Sequence, residues 1–181
     1  MTTLYVAGAS AEIERCEAFR DACKAMGYVV TVDWCAMVRS VGAANGGLAD
    51  DQRRAAKALA YEGASTCDVF VLLLPGGYMT TRGARFNATI GAWCELGHSE
   101  ATRHNVTWGY PSREFLVVGD SPERTVFAVD LPHYATDADA LRHLAEMIGL
   151  EASSVKAEAE TGAQIVDLFE ALKKSLEGSR G

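Results

Sequence analysis

The sequence has no apolar run longer than Val69 to Pro75, far short of the roughly 20 residues that a membrane-spanning helix needs, which excludes a membrane span. It has no cluster of one charge sign either. Its 17 basic and 24 acidic side chains give a formal net charge of -7, and Lys and Arg are scattered, so the electrostatic footprint of a duplex nucleic-acid binder is missing. None of the five cysteines (Cys16, Cys23, Cys35, Cys67, Cys94) forms a C-x-x-C pair, and the odd count argues against a disulfide framework or a thiolate zinc site. Cys16 and Cys23 lie roughly 10 Å apart along one helix face, too far to bridge, and read as small core residues. His98, His104, His133 and His143 lack metal-ligand spacing, so no metal is expected. The opening Met1-Thr2-Thr3 lacks the basic start and small-residue cleavage site of a signal peptide, which predicts a cytoplasmic protein. Internal repeats and low-complexity tracts are also missing.

What is present is enough apolar residue, 49% hydrophobic against 23% charged over 181 residues, for one compact α/β core. Thr3-Leu4-Tyr5-Val6-Ala7 reads as a strand, Gly8 as a turn, and Ile13, Cys16, Phe19, Cys23 and Met26 as the inner face of a helix that Gly27 stops. Tyr28 to Val32 is a second β-branched run, which completes a parallel β-α-β unit. A Gly-rich loop from Val41 to Leu48 leads to a helix over roughly Asp50 to Glu62. Val69 to Leu74 is continuously apolar, as a central strand covered on both faces must be. A long loop from Gly76 to Gly91, a helix from about Ala92 to Arg103, a strand Phe115 to Val118 and a weaker strand around Val126 to Ala128 follow.

Leu141, Leu144, Ala145 and Ile148 mark one further helix, and Ile165, Leu168, Phe169, Leu172 and Leu176 mark a last one. The expected fold is an open, mostly parallel five-stranded sheet with helices on both faces, of Rossmann or flavodoxin type. The α/β domain covers residues 1–150, and a linker with the C-terminal helix covers 151–181. Such sheets bind ligands beyond the carboxyl ends of their strands, so the loops after Ala7, Asp33, Leu74 and Val118 are where function is sought.

Gly8-Ala9-Ser10 is a fragment of a phosphate-cradling turn without the full G-x-G-x-x-G fingerprint, and it reads equally as a tight turn capped by Ser10. The segment Thr89-Ile90-Gly91-Ala92-Trp93-Cys94-Glu95-Leu96-Gly97-His98-Ser99 places a carboxylate in the first turns of a helix, where the helix dipole favours its ionised form. Ionised Glu95 would attack an electrophilic carbon, with Gly91 and Gly97 leaving room for substrate. The plain alternative is a solvated first-turn glutamate. Asp33 and Trp34 end the second strand at the expected crevice, where the indole either stacks on a base or packs in the core.

Tyr5-Val6-Ala7-Gly8, the Cys67 to Pro75 strand and Gly91-x-x-x-Glu95-Leu96-Gly97, with Val117-Val118-Gly119 in order behind them, resemble the nucleoside 2-deoxyribosyltransferase family and its deoxynucleotide N-hydrolase relatives. The resemblance spans roughly residues 3 to 130. It implies that Glu95 is the nucleophile at an anomeric carbon, that Tyr5 orients it, and that a nucleoside or nucleoside 5′-monophosphate is cleaved or exchanged at its N-glycosidic bond without a cofactor. It further implies that Thr89 meets a 5′-phosphate, where Gly91, a helix N-terminus and the nearby Arg82 and Arg85 would also favour an anion. Gly8, Ser10, Asp33, Trp34, Asp68 and Ser99 complete the expected substrate-binding set. A homo-oligomer, dimer or larger, is implied because family sites are commonly completed by a neighbouring subunit.

One departure stands out. An acidic residue that the family carries on the helix before the Asp68 strand is Ala60 here, and Glu62 lies ~200° further round that helix. This leaves a non-catalytic nucleotide sensor as a second reading. A third is a cytokinin-type nucleotide phosphoribohydrolase, from the faint likeness of Leu74 to Thr80 to that family's glycine-rich loop.

Overall fold

Alternation along the central strands decides which side chains meet which layer. The computed structural model describes residues 1–40, 49–74, 84–103, 113–119 and 130–150, the side chains of 84–90 and 103 excepted. Its strands β1 (Thr3–Ala7), β2 (Val29–Val30), β3 (Val69–Leu73), β4 (Glu114–Val118) and β5 (His133–Tyr134) form one sheet in the order β2-β1-β3-β4-β5. Every pairing is parallel, and helices lie in the connections from β1 to β2, β2 to β3 and β3 to β4. Leu4 pairs with Val69, Tyr5 with Phe70, Val6 with Val71 and Ala7 with Leu72.

Because side chains alternate with a period of two, Leu4, Val6, Val69, Val71, Leu73, Leu116 and Val118 face one layer. Tyr5, Ala7, Phe70, Leu72, Phe115 and Val117 face the other. The first layer holds α1 (Ile13–Met26) and α5 (Asp137–Met147), with α2 (Trp34–Ser40) at its edge; the second holds α3 (Asp50–Thr66) and α4 (Ala84–Arg103). This is the expected open α/β sheet with helices on both faces, in the flavodoxin-like strand order whose switch point lies between β1 and β3.

Helix ends are set locally. Gly27 closes α1 at φ 101, a left-handed conformation that only glycine adopts without strain, and its N–H donates to the Lys24 carbonyl at 3.0 Å. Thr136 caps α5 by accepting from the Asp139 N–H at 3.1 Å. Ser10 does not act as the predicted cap. A 3-10 turn over Ser10–Glu12 follows Ala9, with no side-chain cap at its start or at that of α1.

Three features were not foreseen in the sequence. The fifth strand is His133–Tyr134, while the expected strand at 126–128 lies outside the described residues. Residues 34–40 form a helix that has no counterpart in the sequence reading. Most consequentially, α4 starts at Ala84 rather than near Ala92. The linker and C-terminal helix of 151–181 also lie outside the described residues. None of the described helices is long and apolar enough to cross a membrane.

Candidate active site

A cleft of about 250 Å³ opens beside the carboxyl ends of β1 and β2. Gly8 and Ser10 line it after β1, and Trp34, Met37 and Val38 line it from α2. Ala56, Lys57 and Ala60 supply the α3 wall, and Gly91, Ala92 and Glu95 the α4 wall. The room comes from side-chain size: the facing α3 and α4 positions are mostly alanine and glycine, which cannot fill the space between the helices and the sheet edge.

Glu95 and Tyr5 meet at this cleft although ninety positions separate them in the chain. Tyr5 is fully buried on β1, and its Oη donates to Glu95 Oε2 at 3.0 Å. The tyrosine ring is placed by packing. It lies 5.6 Å from the Phe70 ring, and its other side is met by Gly63, where an added Cβ would come within 2.9 Å of Tyr5 Cδ2 and 2.8 Å of Val32 Cγ2. Any larger residue at 63 displaces the ring that holds Glu95. Gly63 was invisible as a site residue in the sequence, because a glycine within a helix reads only as a local weakness.

The electrostatics of Glu95 differ from the sequence expectation. The residue lies about three turns inside α4, beyond the reach of the helix N-terminus, so the dipole does not hold it ionised. Burial instead pushes its carboxyl from 4.5 up to about 7, against a smaller downward pull from the Tyr5 hydrogen bond. It is neither a first-turn nor a freely solvated glutamate. The Tyr5 phenol is driven in the same direction, far above its ordinary value, by burial first and then by the neighbouring Glu95 charge. Tyr5 therefore keeps its proton and acts only as a donor.

The same shift of the α4 boundary changes the anion reading. The Gly91 amide lies in the helix interior, where its bonding capacity goes to the preceding turn, so it offers no N-terminal anion site. Gly91 does line the cleft, and Gly97 does not; a Cβ at Gly97 would meet nothing within 4 Å. Arg85 and Thr89 lie on α4 with their side chains outside the described part, and Arg82 is outside the described residues. Pro75 to Thr80 is outside them too.

Three expected substrate contacts are engaged elsewhere. Asp33 Oδ1 accepts from the Ala36 N–H at 3.0 Å as the cap of α2, and its carboxylate bridges Arg20 at 2.6 Å and Lys24 at 3.1 Å. Asp68 sits at the amino end of β3, where Oδ2 accepts from both the N–H and the hydroxyl of Thr3 at 2.8 Å. It therefore ties two strand starts together at the opposite edge from the cleft. Ser99 is fully buried, and its hydroxyl donates to the Ala64 carbonyl at 2.7 Å. Trp34 packs against the core, where its Nε1 donates to the Val6 carbonyl at 2.6 Å, and its side chain also lines the cleft.

Lys57 is the ionisable cleft residue that the sequence reading missed, beside Met37, Val38 and Ala56. Its Nζ lies 5.3 Å from the centre of the Tyr61 ring, one turn on, and Tyr61 stacks on His98 at 4.5 Å and 11°. The signal available in the sequence was the i, i+1, i+4 spacing of Ala56, Lys57 and Ala60. Glu62 is exposed, and α3 continues past it to Thr66, so it does not replace the acid missing at Ala60. Four cysteines are buried and Cys94 is exposed, all as free thiols; burial raises Cys16, Cys35 and Cys67 to about 12. The fold and the cleft thus define an open α/β protein with a buried carboxylate facing a cavity. No family model and no curated protein matches the chain.

Proposed function

We propose that this protein cleaves or exchanges the N-glycosidic bond of a nucleoside or nucleoside 5′-monophosphate, with Glu95 as nucleophile and Tyr5 as its orienting donor. The observation that carries this reading is the 3.0 Å hydrogen bond from Tyr5 to a largely buried Glu95 on the wall of the cleft. The resemblance of the Tyr5 and Glu95 segments to the deoxyribosyltransferase family supports it.

In the proposed reaction one Glu95 oxygen forms a bond to the anomeric carbon while the bond from that carbon to the base breaks, its electron pair leaving with the base. Tyr5 holds the other oxygen, so the attacking one is presented in a fixed direction. Water or a second base then displaces Glu95 and restores the carboxylate. The charge developing on the sugar ring favours ionised Glu95 in the complex, offsetting the effect of burial in the free protein. The proposal also includes a cytoplasmic homo-oligomer, with a neighbouring copy bordering the site.

One observation favours a second reading, a nucleotide sensor without turnover. Ala60 lies on the cleft wall, and among the described residues lining it Glu95 is the sole carboxylate. The two readings separate when purified protein is incubated with ribo- and deoxyribonucleosides and their monophosphates and free base is followed by chromatography. Base release that Glu95→Gln abolishes is the expected result. Release that survives the substitution removes Glu95 as nucleophile, and binding with no release from any substrate selects the sensor.

A further inference from the structure

Lys57 stands on the α3 wall of the cleft and Glu95 on the α4 wall, and among the described residues these are the two ionisable side chains that line it. Resting on the glycosidic reading above, we infer that Lys57 serves the departing base. Breaking the bond to the anomeric carbon sends an electron pair onto the base nitrogen, and a base that leaves as a bare anion leaves slowly. Glu95 is committed to the sugar carbon, and burial leaves the Tyr5 hydroxyl bound to Glu95 with its proton retained. Ala60, one turn from Lys57 on the same helix, has nothing to donate.

Among the described residues lining the cleft, the ammonium of Lys57 is the remaining acid. Its side chain lines the cleft, and its Nζ lies 5.3 Å from the centre of the Tyr61 ring, which is itself stacked on His98. In the first step Lys57 gives a proton to the base nitrogen as the C–N bond breaks, and the neutral base departs. In the second step water attacks the anomeric carbon, Glu95 leaves as carboxylate, and the water proton passes to the Lys57 amine. The cycle consumes one water, releases free base and free sugar, and returns both side chains to their starting charge. The inference also narrows the substrate class to bases that need a proton to leave.

The test compares wild type with Lys57→Met on two substrates: an ordinary purine nucleoside, and its N7-methylated counterpart, whose base carries a positive charge and leaves neutral without a proton. Lys57 is exposed, so the substitution leaves the fold intact, which equal thermal melting verifies. The expected result is a fall of about 100-fold in turnover of the ordinary nucleoside and less than about 10-fold for the methylated one. Equal losses on both substrates, or no loss on either, overturn the role of Lys57 while leaving Glu95 as nucleophile. Failure of wild type to release base from any ribo- or deoxyribonucleoside or monophosphate, N7-methylated or not, overturns the glycosidic reading and this inference with it.

Discussion

The α3/α4 layer buries a charge at each of its two ends, and the two are treated in opposite ways. At the amino end of β4, Arg113 is fully buried and hydrogen-bonded at all three of its nitrogens. Its Nε donates to the Cys67 carbonyl at 3.1 Å, its guanidinium reaches the Ser99 carbonyl at 2.7 Å and the Thr102 hydroxyl at 2.8 Å, and it also bonds the Ser65 carbonyl. It ties the end of α3 to the last turns of α4. One turn before Ser99 on α4, Glu95 faces the cleft, where among the described residues Tyr5 is its hydrogen-bond partner. A buried charge with its bonding capacity filled costs little further and serves packing. One left with unused lone pairs against open space keeps its desolvation penalty, which the upward shift of Glu95 registers. If Glu95 acts as proposed, this difference is what sets a chemical charge apart from a structural one.

Substituting each charge in turn gives the largest expected effects. Glu95→Gln keeps the side-chain shape and should reduce base release at least about 10³-fold while leaving the melting temperature at pH 7 unchanged or raised. Arg113→Met should do the reverse, since it leaves buried carbonyls without donors and destabilises the fold by about 3 kcal/mol, or about 10 °C in melting temperature. Thermal melts beside initial-rate assays check both. A variant of Glu95 that unfolds, or one of Arg113 that melts like wild type, would erase the distinction.

The sequence exposed the fold more fully than the site. β1, β3 and β4 were legible because buried strands of a parallel sheet must be apolar almost throughout, and α1 and α5 because their buried residues recur at helical spacing. The α4 start was not, because Phe86, Asn87 and Thr89 are weak helix formers and Gly91 reads as a break. The last turn of α3 is held by long-range bonds from Arg113 to the Ser65 and Cys67 carbonyls, which no local pattern contains. Asp68 and Ser99 were drawn toward the site because a sequence says that a residue adjoins a strand or helix face, not which end of the sheet its partners occupy. Tyr5 and Glu95 were paired through the family resemblance; periodicity alone would have left both as core and surface residues.

The charge at the cleft also predicts how stability follows pH. A carboxyl whose folded value lies above its unfolded one contributes nothing to pH dependence when both forms are protonated. As pH rises from about 4.5 the unfolded chain releases this proton and the folded one keeps it, so stability falls through the interval and levels off above about 7. For Glu95 the loss amounts to as much as about 3 kcal/mol. Glu95→Gln lacks the group, so the stability of wild type relative to this variant should decline between pH 5 and 8 in parallel denaturant titrations. A constant difference would mean that Glu95 is not desolvated.

The smallest effect tests the bond between the two halves of the site. Tyr5→Phe keeps the ring against Phe70 and Gly63 and removes the hydroxyl, so packing survives while Glu95 loses its donor. The Tyr5 bond favours the ionised carboxylate, so its loss should move the Glu95 carboxyl above about 7 and displace the acid limb of the rate profile toward higher pH. At pH 7 turnover should fall about 10-fold, in keeping with one hydrogen bond to a charged acceptor. Part of that loss should return at pH 9, where the carboxylate forms without help; the remainder measures orientation. A merely structural tyrosine would instead lower the rate by the same factor at every pH.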